Sequence, residues 1–332
     1  MKSEQPSPAR ACAGGNPSRS TARDAPIPVV AAAGTLLALA MSEAGDRIEA
    51  RASARDHHTN EASMYLETVD KLATTAAARS NFLKRAPFGF LLSAMMAGAY
   101  IGLGIILIFS IGSDVDPAYR PLIMGASFGV ALTLVIFAGA DLFTGHAMYM
   151  PLGVLRGKIG LGDMLRCWAG SWVGNLIGSA VLAALFIAGG GGSILHAKSQ
   201  FIFAVAAGKM NAPALSLFAR AILCNWLVCL AIWMAARMEG DAAKCIAIFW
   251  CLFGFVGSGY EHSVANMTLL LIALLSPHPD TVTWAGFGWN MLWVTLGNIV
   301  AGAVFMALGY WAASRSNVAA PVALAVVPAA AD

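Results

Sequence analysis

Long apolar segments separated by short polar ones make up most of the chain from residue 88 onward. Their polar positions do not alternate with the period of two that a β-strand would show. An α-helix needs about 20 apolar residues to cross a bilayer. The pattern therefore predicts an all-α membrane protein with six spanning segments, at Phe88–Ser110, Pro121–Met150, Cys167–Ala188, Pro213–Ala236, Lys244–Leu275 and Trp284–Trp311.

Two of these segments are interrupted by glycine and polar residues. The second contains Gly-Ala-Asp-Leu-Phe-Thr-Gly-His at 139–146, and the fifth contains Gly-Ser-Gly-Tyr-Glu-His-Ser-Val-Ala-Asn-Met at 257–267. Backbone groups freed by a helix break find no water in hydrocarbon, so breaks are tolerated only inside protein or beside a wet cavity. Ionisable residues at this depth are typical of functional sites. We therefore expect the breaks to mark the functional site.

The second half of the chain repeats features of the first. A Gly-Asn pair follows each broken segment, at Gly174-Asn175 in the third segment and at Gly297-Asn298 in the sixth. Each half then has three helices with a broken middle one, and three spans give the halves opposite membrane orientations. Such an inverted repeat is typical of transporters and channels whose site lies at the repeat interface. Chance similarity between apolar segments is the alternative.

The ends of the chain differ from the membrane segments. Residues 1–63 are rich in Ala, Ser, Pro and Arg, and their apolar patch Val29–Met41 is too short to span a membrane. We interpret them as a disordered extension, or as upstream sequence if the true start is Met64. Apolar positions at helical spacing over 64–87 predict a cytoplasmic amphipathic helix at the membrane surface. Residues 88–312 are then the channel domain, and 313–332 a short cytoplasmic tail.

Composition and charge agree with this interpretation. Hydrophobic residues make up 58% of the chain and charged residues 12%, whereas soluble domains carry about 25% charged residues. Basic residues cluster before the first segment and in alternate connections, which places both termini in the cytoplasm. The net charge of +3 arises in connecting segments and indicates no nucleic-acid partner. Six cysteines without a CxxC pair favour neither a disulfide framework nor a metal.

From about residue 64 to 312, the sequence resembles the formate–nitrite transporters, most closely their nitrite-channel branch. Matching stretches include GAYIGLGIILIF, AGADLFTGHAM, SGYEHSVANMTL and WVTLGNIVAGAVFMALGYW. The resemblance implies an aquaporin-like protomer with its own pore, assembled as a homopentamer in a bacterial inner membrane. It implies transport of nitrite linked to protons, without enzyme activity or cofactor. Formate, hydrosulfide or another weak-acid anion is the alternative substrate.

A histidine in the second break is the first candidate for contact with the anion. His262 can donate a hydrogen bond or a proton to an anion, whose burial without a partner is costly. Its spacing alone equally allows it to satisfy carbonyls freed by the break. The resemblance places it in the pore, with Thr144 bonded to it, Asn225 beside it and Lys209 making the pore electropositive. The alternatives are a helix cap for Thr144, a helix–helix hydrogen bond for Asn225 and a solvated loop position for Lys209.

Apolar side chains are the candidates for constrictions that exclude ions unable to shed their water. By the resemblance, Phe128 and Leu132 form one constriction and Phe255 the other, with Leu142. Without the resemblance, packing or lipid contact is the ordinary role of such side chains in a membrane helix.

Four polar residues are expected to have structural roles at the breaks. Asp141 and Glu261 occupy equivalent positions, where each can accept freed backbone N–H groups or pair with a cation. Asn175 and Asn298 are expected to tie the broken backbone together.

Two side chains in the membrane segments remain open to two interpretations. Arg220 either faces an anion vestibule or snorkels to the outer interface. His146 is either a second titratable site or an interface residue. A haem protein would need paired axial histidines, but only His146 and His262 lie in the segments, one in each break.

Overall fold

The computed structural model describes residues 42–43, 46–47, 65–196 and 199–315, and no β-strand occurs among them. The predicted extension 1–63 and tail 313–332 therefore lie almost wholly outside the described residues. Residues 65–85 form helix α1. The helices that follow are α2 (Pro87–Gly112), α3 (Arg120–Ser127), α4 (Gly129–Ala138), α5 (Phe143–Leu155), α6 (Leu161–Ala188), α7 (Gly192–Leu195), α8 (Ser199–Met210), α9 (Ala214–Arg237), α10 (Asp241–Gly257), α11 (Ser263–Leu274), α12 (Trp284–Val300), a π-helical segment (Ala301–Leu308) and α13 (Gly309–Arg315).

Five helical stretches in the described residues are long and apolar enough to cross a membrane. They are α2, α3 with α4, α6, α9, and the continuous stretch from α12 to α13. The fifth predicted segment, Lys244–Leu275, is divided between α10, with 17 residues, and α11, with 12 residues. The structure is thus all-helical, as predicted, and its long helices match the apolar segments of the sequence.

Helix α1 packs its apolar face against the membrane helices rather than leaving it for lipid. Val69, Leu72 and Ala76 are buried in a cluster that includes Leu152 of α5 and Trp233 of α9. Ion pairs join this helix to the rest of the protein: Asp70 with Arg156, Arg79 with Asp141, and Lys84 with Asp163. These contacts show why α1 belongs to the folded domain, although its spacing resembles that of a surface helix.

The connection between α6 and α9 contains two helices, α7 and α8, that the sequence pattern did not predict. Gly190, Gly191 and Gly192 have positive φ angles and turn the chain after α6. Helix α8 then buries Ile202, Ala206 and other apolar side chains at helical spacing. With 12 residues, α8 is too short to be recognised as a span by apolar length.

Glycines allow the helices that carry the asparagines to approach their neighbours closely. A Cβ on Gly98 of α2 would lie 2.1 Å from the carbonyl oxygen of Asn175 on α6. A Cβ on Gly297 of α12 would lie 2.5 Å from the carbonyl oxygen of Phe218 on α9. Small residues permit such contacts between membrane helices. They bring the side chains of α6 and α12 within reach of the two breaks.

Candidate functional site

The two broken helices end in the same way before their breaks. Gly139 follows α4 and Gly259 lies just beyond α10, with φ angles of 76° and 71°. Only glycine adopts this left-handed conformation without strain, so it is common at helix ends. In each case the next backbone N–H donates to the carbonyl five residues earlier, over 3.0 and 3.1 Å. The local chain geometry of the breaks is therefore equivalent.

Asn175 of α6 holds the first break. Its Oδ1 accepts from the backbone N–H of Phe143 over 2.9 Å. Its Nδ2 donates to the carbonyls of Asp141, over 3.0 Å, and Ala94, over 2.7 Å. Asp141 and Phe143 flank Leu142, so one amide satisfies backbone groups on both sides of that residue. These bonds replace those that the broken helix has lost.

Asn298 of α12 holds the second break in the same way. Its Oδ1 accepts from the backbone N–H of Ser263 over 2.9 Å. Its Nδ2 donates to the carbonyls of Glu261, over 3.2 Å, and Ala221, over 2.9 Å. The residue between Glu261 and Ser263 is His262. His262 therefore occupies the position in the second break that Leu142 occupies in the first.

A buried carboxylate in the first break is paired with a cation and a histidine. Asp141 is fully buried and contacts the guanidinium of Arg79, whose Nε lies 3.3 Å from Oδ1. His146 Nε2 lies 3.1 Å from the same oxygen. Arg79 also donates to the carbonyl of Gly139 over 3.3 Å. Helix α1 thus supplies the positive charge that compensates Asp141.

The second break has a matching group around Glu261. Lys209, in the last turn of α8, places Nζ 2.8 Å from Glu261 Oε2. Asn266 donates from Nδ2 to the same oxygen over 2.6 Å and to Asn290 Oδ1 over 2.9 Å. Lys209 is therefore not a solvated loop residue, because its side chain is only 19% exposed and ion-paired. Helix α8 has the same role in this half as α1 in the other.

The imidazole of His262 caps one helix and contacts another. Its Nδ1 accepts from the backbone N–H of Ala265 over 3.0 Å, which makes His262 the N-cap of α11. A nitrogen that accepts from an amide carries no proton, so the neutral ring bears its hydrogen on Nε2. Nε2 lies 3.1 Å from Thr144 Oγ1. The bond that fits this tautomer runs from Nε2–H to the threonine oxygen.

Thr144 and Asn225 complete the polar contacts between the breaks. Thr144 does not cap α5, whose N-cap is Leu142 and lacks a side-chain cap. Asn225 of α9 donates from Nδ2 to the carbonyls of Thr144, over 3.2 Å, and Asn298, over 2.7 Å. Its buried Oδ1 has no hydrogen-bond partner in the described part of the chain. Asn225 thus bonds backbone on α5 and α12, and it leaves one acceptor free next to Thr144.

Three cavities follow one another along the same helices. A cavity of about 420 Å³ is lined by residues that include Arg120, Lys209 and His262. A cavity of about 10 Å³ is also lined by His262, and its remaining lining is apolar: Ile101, Phe128, Leu132, Leu142, Val228, Leu252 and Phe255. A third cavity, of about 250 Å³, is lined by Lys71, Ile136, Ile232, Ala235, Ala236 and Lys244.

The register of the helices places the third cavity beyond the small one. Ile136 lies one helical turn after Leu132 on α4, and Ile232 lies one turn after Val228 on α9. On α10, Lys244 lies two turns before Leu252. Residues four apart in a helix lie on one face. His262 is therefore located between two larger cavities and beside the narrowest space.

The apolar side chains around His262 are grouped differently from the expectation. Phe128 and Phe255 were assigned to separate constrictions, but their rings contact edge to face with centroids 5.5 Å apart. Phe255 also stacks on His262 at 5.9 Å. Both phenylalanines line the large cavity as well as the small one, whereas Leu132 and Leu142 line only the small one. The structure pairs Phe128 with Phe255, whereas Leu132 and Leu142 share the lining of the small cavity.

The structure shows where Arg220 and His146 lie, the two residues for which the sequence allowed two interpretations. Arg220 is exposed on α9, and its carbonyl accepts from Glu261 N over 3.4 Å. His146 is fully buried beside Asp141 and is absent from the lining of the three cavities. It lies inside the protein, behind the break, rather than at an exposed interface.

Sequence reasoning did not single out the roles of Arg79, Asn266 and Asn290. One signal was present in the sequence, because His146 and Asn266 each stand five residues after the acid of their break. The cations were not predictable from spacing, since Arg79 and Lys209 come from helices distant in sequence. Among the described residues, no group of side chains is suited to hold a metal ion.

The fold and the site define an integral membrane protein in which two broken helices meet at a buried histidine between cavities. A family model described as formate/nitrite transporter matches residues 66–312. The nitrite transporter NirC of Escherichia coli is 54% identical over 251 residues, covering 76% of this chain and 93% of the relative. The chain belongs to the formate/nitrite transporter family, whose members are transporters and channels rather than enzymes.

Solved structures agree with this assignment. A structure described as an FNT family ion channel is 54% identical, with a TM-score of 0.73, and covers 75% of this chain and 99% of its own. A pentameric formate channel with formate bound is 28% identical, with a TM-score of 0.60, and covers 69% of this chain and 98% of its own. The fold of the described helices is thus shared with known channels.

Proposed function

We propose that the protein transports nitrite, linked to protons, through a pore in each protomer of a homopentamer. The similarity to a nitrite transporter and to a pentameric channel supports this proposal. The observation that carries it is His262, which lies between two larger cavities with Nε2 directed at Thr144. Formate and hydrosulfide are the alternative substrates, since a filter of apolar side chains and one imidazole distinguishes small weak-acid anions poorly.

The proposed architecture is six spans arranged as two inverted three-helix repeats. Helix α10 and α11 together form the fifth span, as α3, α4 and α5 form the second. The matching asparagine clamps and acid–cation pairs support an inverted repeat. Basic residues near the first span and in alternate connections support cytoplasmic termini in a bacterial inner membrane.

The proposed route runs through the three cavities, with the small one as its narrowest part. Phe128 and Phe255 form the apolar constriction on the side of the large cavity, and Leu132 and Leu142 the one on the side of α1. Burying an isolated anion among such side chains is very unfavourable, so the anion crosses as its neutral acid. Thr144 and Asn225 provide polar contacts beside His262, and Lys209 holds Glu261 at the second break.

The hydrogen bonds of His262 constrain how it serves the anion. In the neutral ring, Nε2–H can donate to an anion in place of Thr144. To give up that proton, the ring must gain another at Nδ1, and Nδ1–H cannot accept from Ala265 N–H. Proton transfer therefore requires His262 to leave its capping position, whereas hydrogen-bond donation does not. Loss of an N-cap costs about 1 kcal/mol, and the cost of placing a charged ring in a buried, largely apolar site is added to it.

The test replaces the imidazole while preserving the cap. Asparagine is among the best N-cap residues, so His262→Asn retains a bond to Ala265 N–H but has no titratable ring. We expect this variant to assemble normally and to lose proton-linked nitrite uptake in proteoliposomes. His278→Asn, in an exposed loop, is the control and is expected to behave as the wild type. Nitrite flux with unchanged pH dependence in His262→Asn would refute the mechanism.

A further inference from the structure

The two larger cavities each contain one cation that is ion-paired and one that is not. In the large cavity, Lys209 pairs with Glu261 at 2.8 Å. In the third cavity, Lys244 pairs with Asp241 at 2.9 Å. Arg120 and Lys71 line the same two cavities, and neither forms an ion pair with any residue that the structure describes. Each cavity therefore has one cation that is not in ion-pair contact with a carboxylate, although Lys71 also borders a neighbouring cavity that contains Glu67 and Glu239.

The two cations without an ion-pair contact are held in position by neutral groups. Lys71 Nζ donates to the carbonyl of Ala236 near the end of α9, where the helix dipole also favours a cation. Arg120 Nε donates to the carbonyl of Val115 over 3.1 Å, and its guanidinium lies 4.3 Å from the centre of the Phe201 ring. These contacts fix each side chain without neutralising its charge.

Four other cations on or near α1 are ion-paired, unlike Lys71. Arg79, Lys84, Arg156 and Lys158 all contact carboxylates. Lys71 lies on the same helix and carries its charge into a cavity instead. A cavity with low-dielectric walls and charge of one sign concentrates ions of the opposite sign. The ion-paired Lys209 contributes less to such a field, because Glu261 cancels most of its charge at a distance.

We propose that Lys71 and Arg120 are the residues that attract the anion to the two ends of the pore. Lys71 acts on the side of α1, and Arg120 acts on the side of the large cavity. The inference rests on the proposed function, since it concerns anions that reach His262. It assigns recruitment to unpaired cations and leaves Lys209 and Lys244 with structural ion pairs.

The experiment measures nitrite flux in right-side-out and in inverted bacterial membrane vesicles. Lys71→Gln is expected to reduce initial uptake from the α1 side, and Arg120→Gln from the opposite side. The reduction should be about fivefold at low ionic strength, the Boltzmann factor for two unit charges about 4 Å apart in water. It should shrink in 1 M salt, where the Debye length falls to about 3 Å.

Two comparisons separate charge from structure. Lys71→Arg keeps the charge and should retain flux, and Lys84→Gln, which removes a charge paired with Asp163, should leave flux and its salt dependence unchanged. If Lys71→Arg loses as much flux as Lys71→Gln, the lysine has a structural role and the inference is wrong. If Lys71→Gln and Arg120→Gln both transport nitrite at the wild-type rate, the inference is also wrong. Absence of anion flux in the wild type would instead refute the proposed function itself, and the inference with it.

Discussion

At the scale of single residues, the two breaks use side chains of complementary length. The first group combines a short acid, Asp141, with a long partner, His146, at 3.1 Å. The second combines a longer acid, Glu261, with a shorter partner, Asn266, at 2.6 Å. In both, the partner stands five residues after the acid and donates to one of its oxygens. His146 is therefore the structural counterpart of Asn266, which accounts for its burial.

This equivalence predicts the outcome of a side-chain exchange. His146→Asn shortens the partner of Asp141 and should lower the free energy of unfolding by about 1–3 kcal/mol, because a buried acceptor loses a bond. Adding Asp141→Glu restores the combined length and should recover much of the loss. Thermal unfolding of the two single variants and the double variant in detergent forms a double-mutant cycle. Purely additive effects would contradict the equivalence.

Contacts of this kind were only partly predictable from the sequence. Glycines and polar residues inside apolar segments located both breaks, and the Gly-Asn pairs identified Asn175 and Asn298. The family resemblance, not the spacing, placed Thr144 beside His262, and the structure has this contact across 118 positions of sequence; the alternative, that Thr144 caps α5, was wrong. A pattern of spacing reports which residues share a helix face, but it does not report which distant side chain meets them.

At the scale of helices, α1 and α8 are equivalent elements that the sequence pattern treated differently. Each provides the cation for the acid of one break. The spacing of α1 predicted an amphipathic helix, although its apolar face is covered by protein. The sequence pattern places α8 in a connection, since a helix of 12 residues is too short to suggest a span. The helix predicted from the spacing of α1 is present, but hydrophobic periodicity shows only that a face is buried, not whether lipid or protein buries it.

The role of α1 predicts different results for two deletions. Removing residues 1–63 keeps α1 and should give a protein with the oligomeric state and thermal stability of the full chain. Removing residues 1–85 leaves Asp141 without Arg79 and uncovers the apolar surface beneath Val69 and Leu72, so little folded protein is expected. Burial of one such side chain contributes about 1.5–3 kcal/mol. Gel filtration and thermal unfolding compare the two.

The deletion of residues 1–63 is the sharper of the two tests. These residues lie almost wholly outside the described structure, and the family match begins at residue 66. Failure of the shorter chain to assemble would refute the view that they are dispensable.

At the scale of the whole molecule, the two helix breaks match each other except at one position. Most features recur in both halves: the positive-φ glycine, the asparagine clamp, the acid and its cation. The residue between the two backbone groups that each asparagine binds is Leu142 in the first half and His262 in the second. A symmetric scaffold with one imidazole gives the proposed pore a single titratable group at its narrowest part.

This arrangement predicts which anions pass. Nitrite, formate and hydrosulfide are anions of weak acids, and each can cross the apolar constrictions as a neutral acid. Nitrate is the anion of a strong acid and stays charged, so it meets the full cost of burial among Phe128, Phe255, Leu132 and Leu142. We expect flux of the first three in proteoliposomes to rise as the pH falls, while nitrate flux stays low at every pH.

The control for this panel is passive permeation, since neutral weak acids also cross lipid. Protein-free liposomes measure that background, and His262→Asn measures what remains of the protein pathway without the imidazole. The weak-acid fluxes should exceed the background only with the wild-type histidine. Nitrate flux equal to nitrite flux and independent of pH would mean that the bare anion crosses. The role of His262 would then be limited to hydrogen-bond donation from Nε2, with its cap on α11 intact throughout.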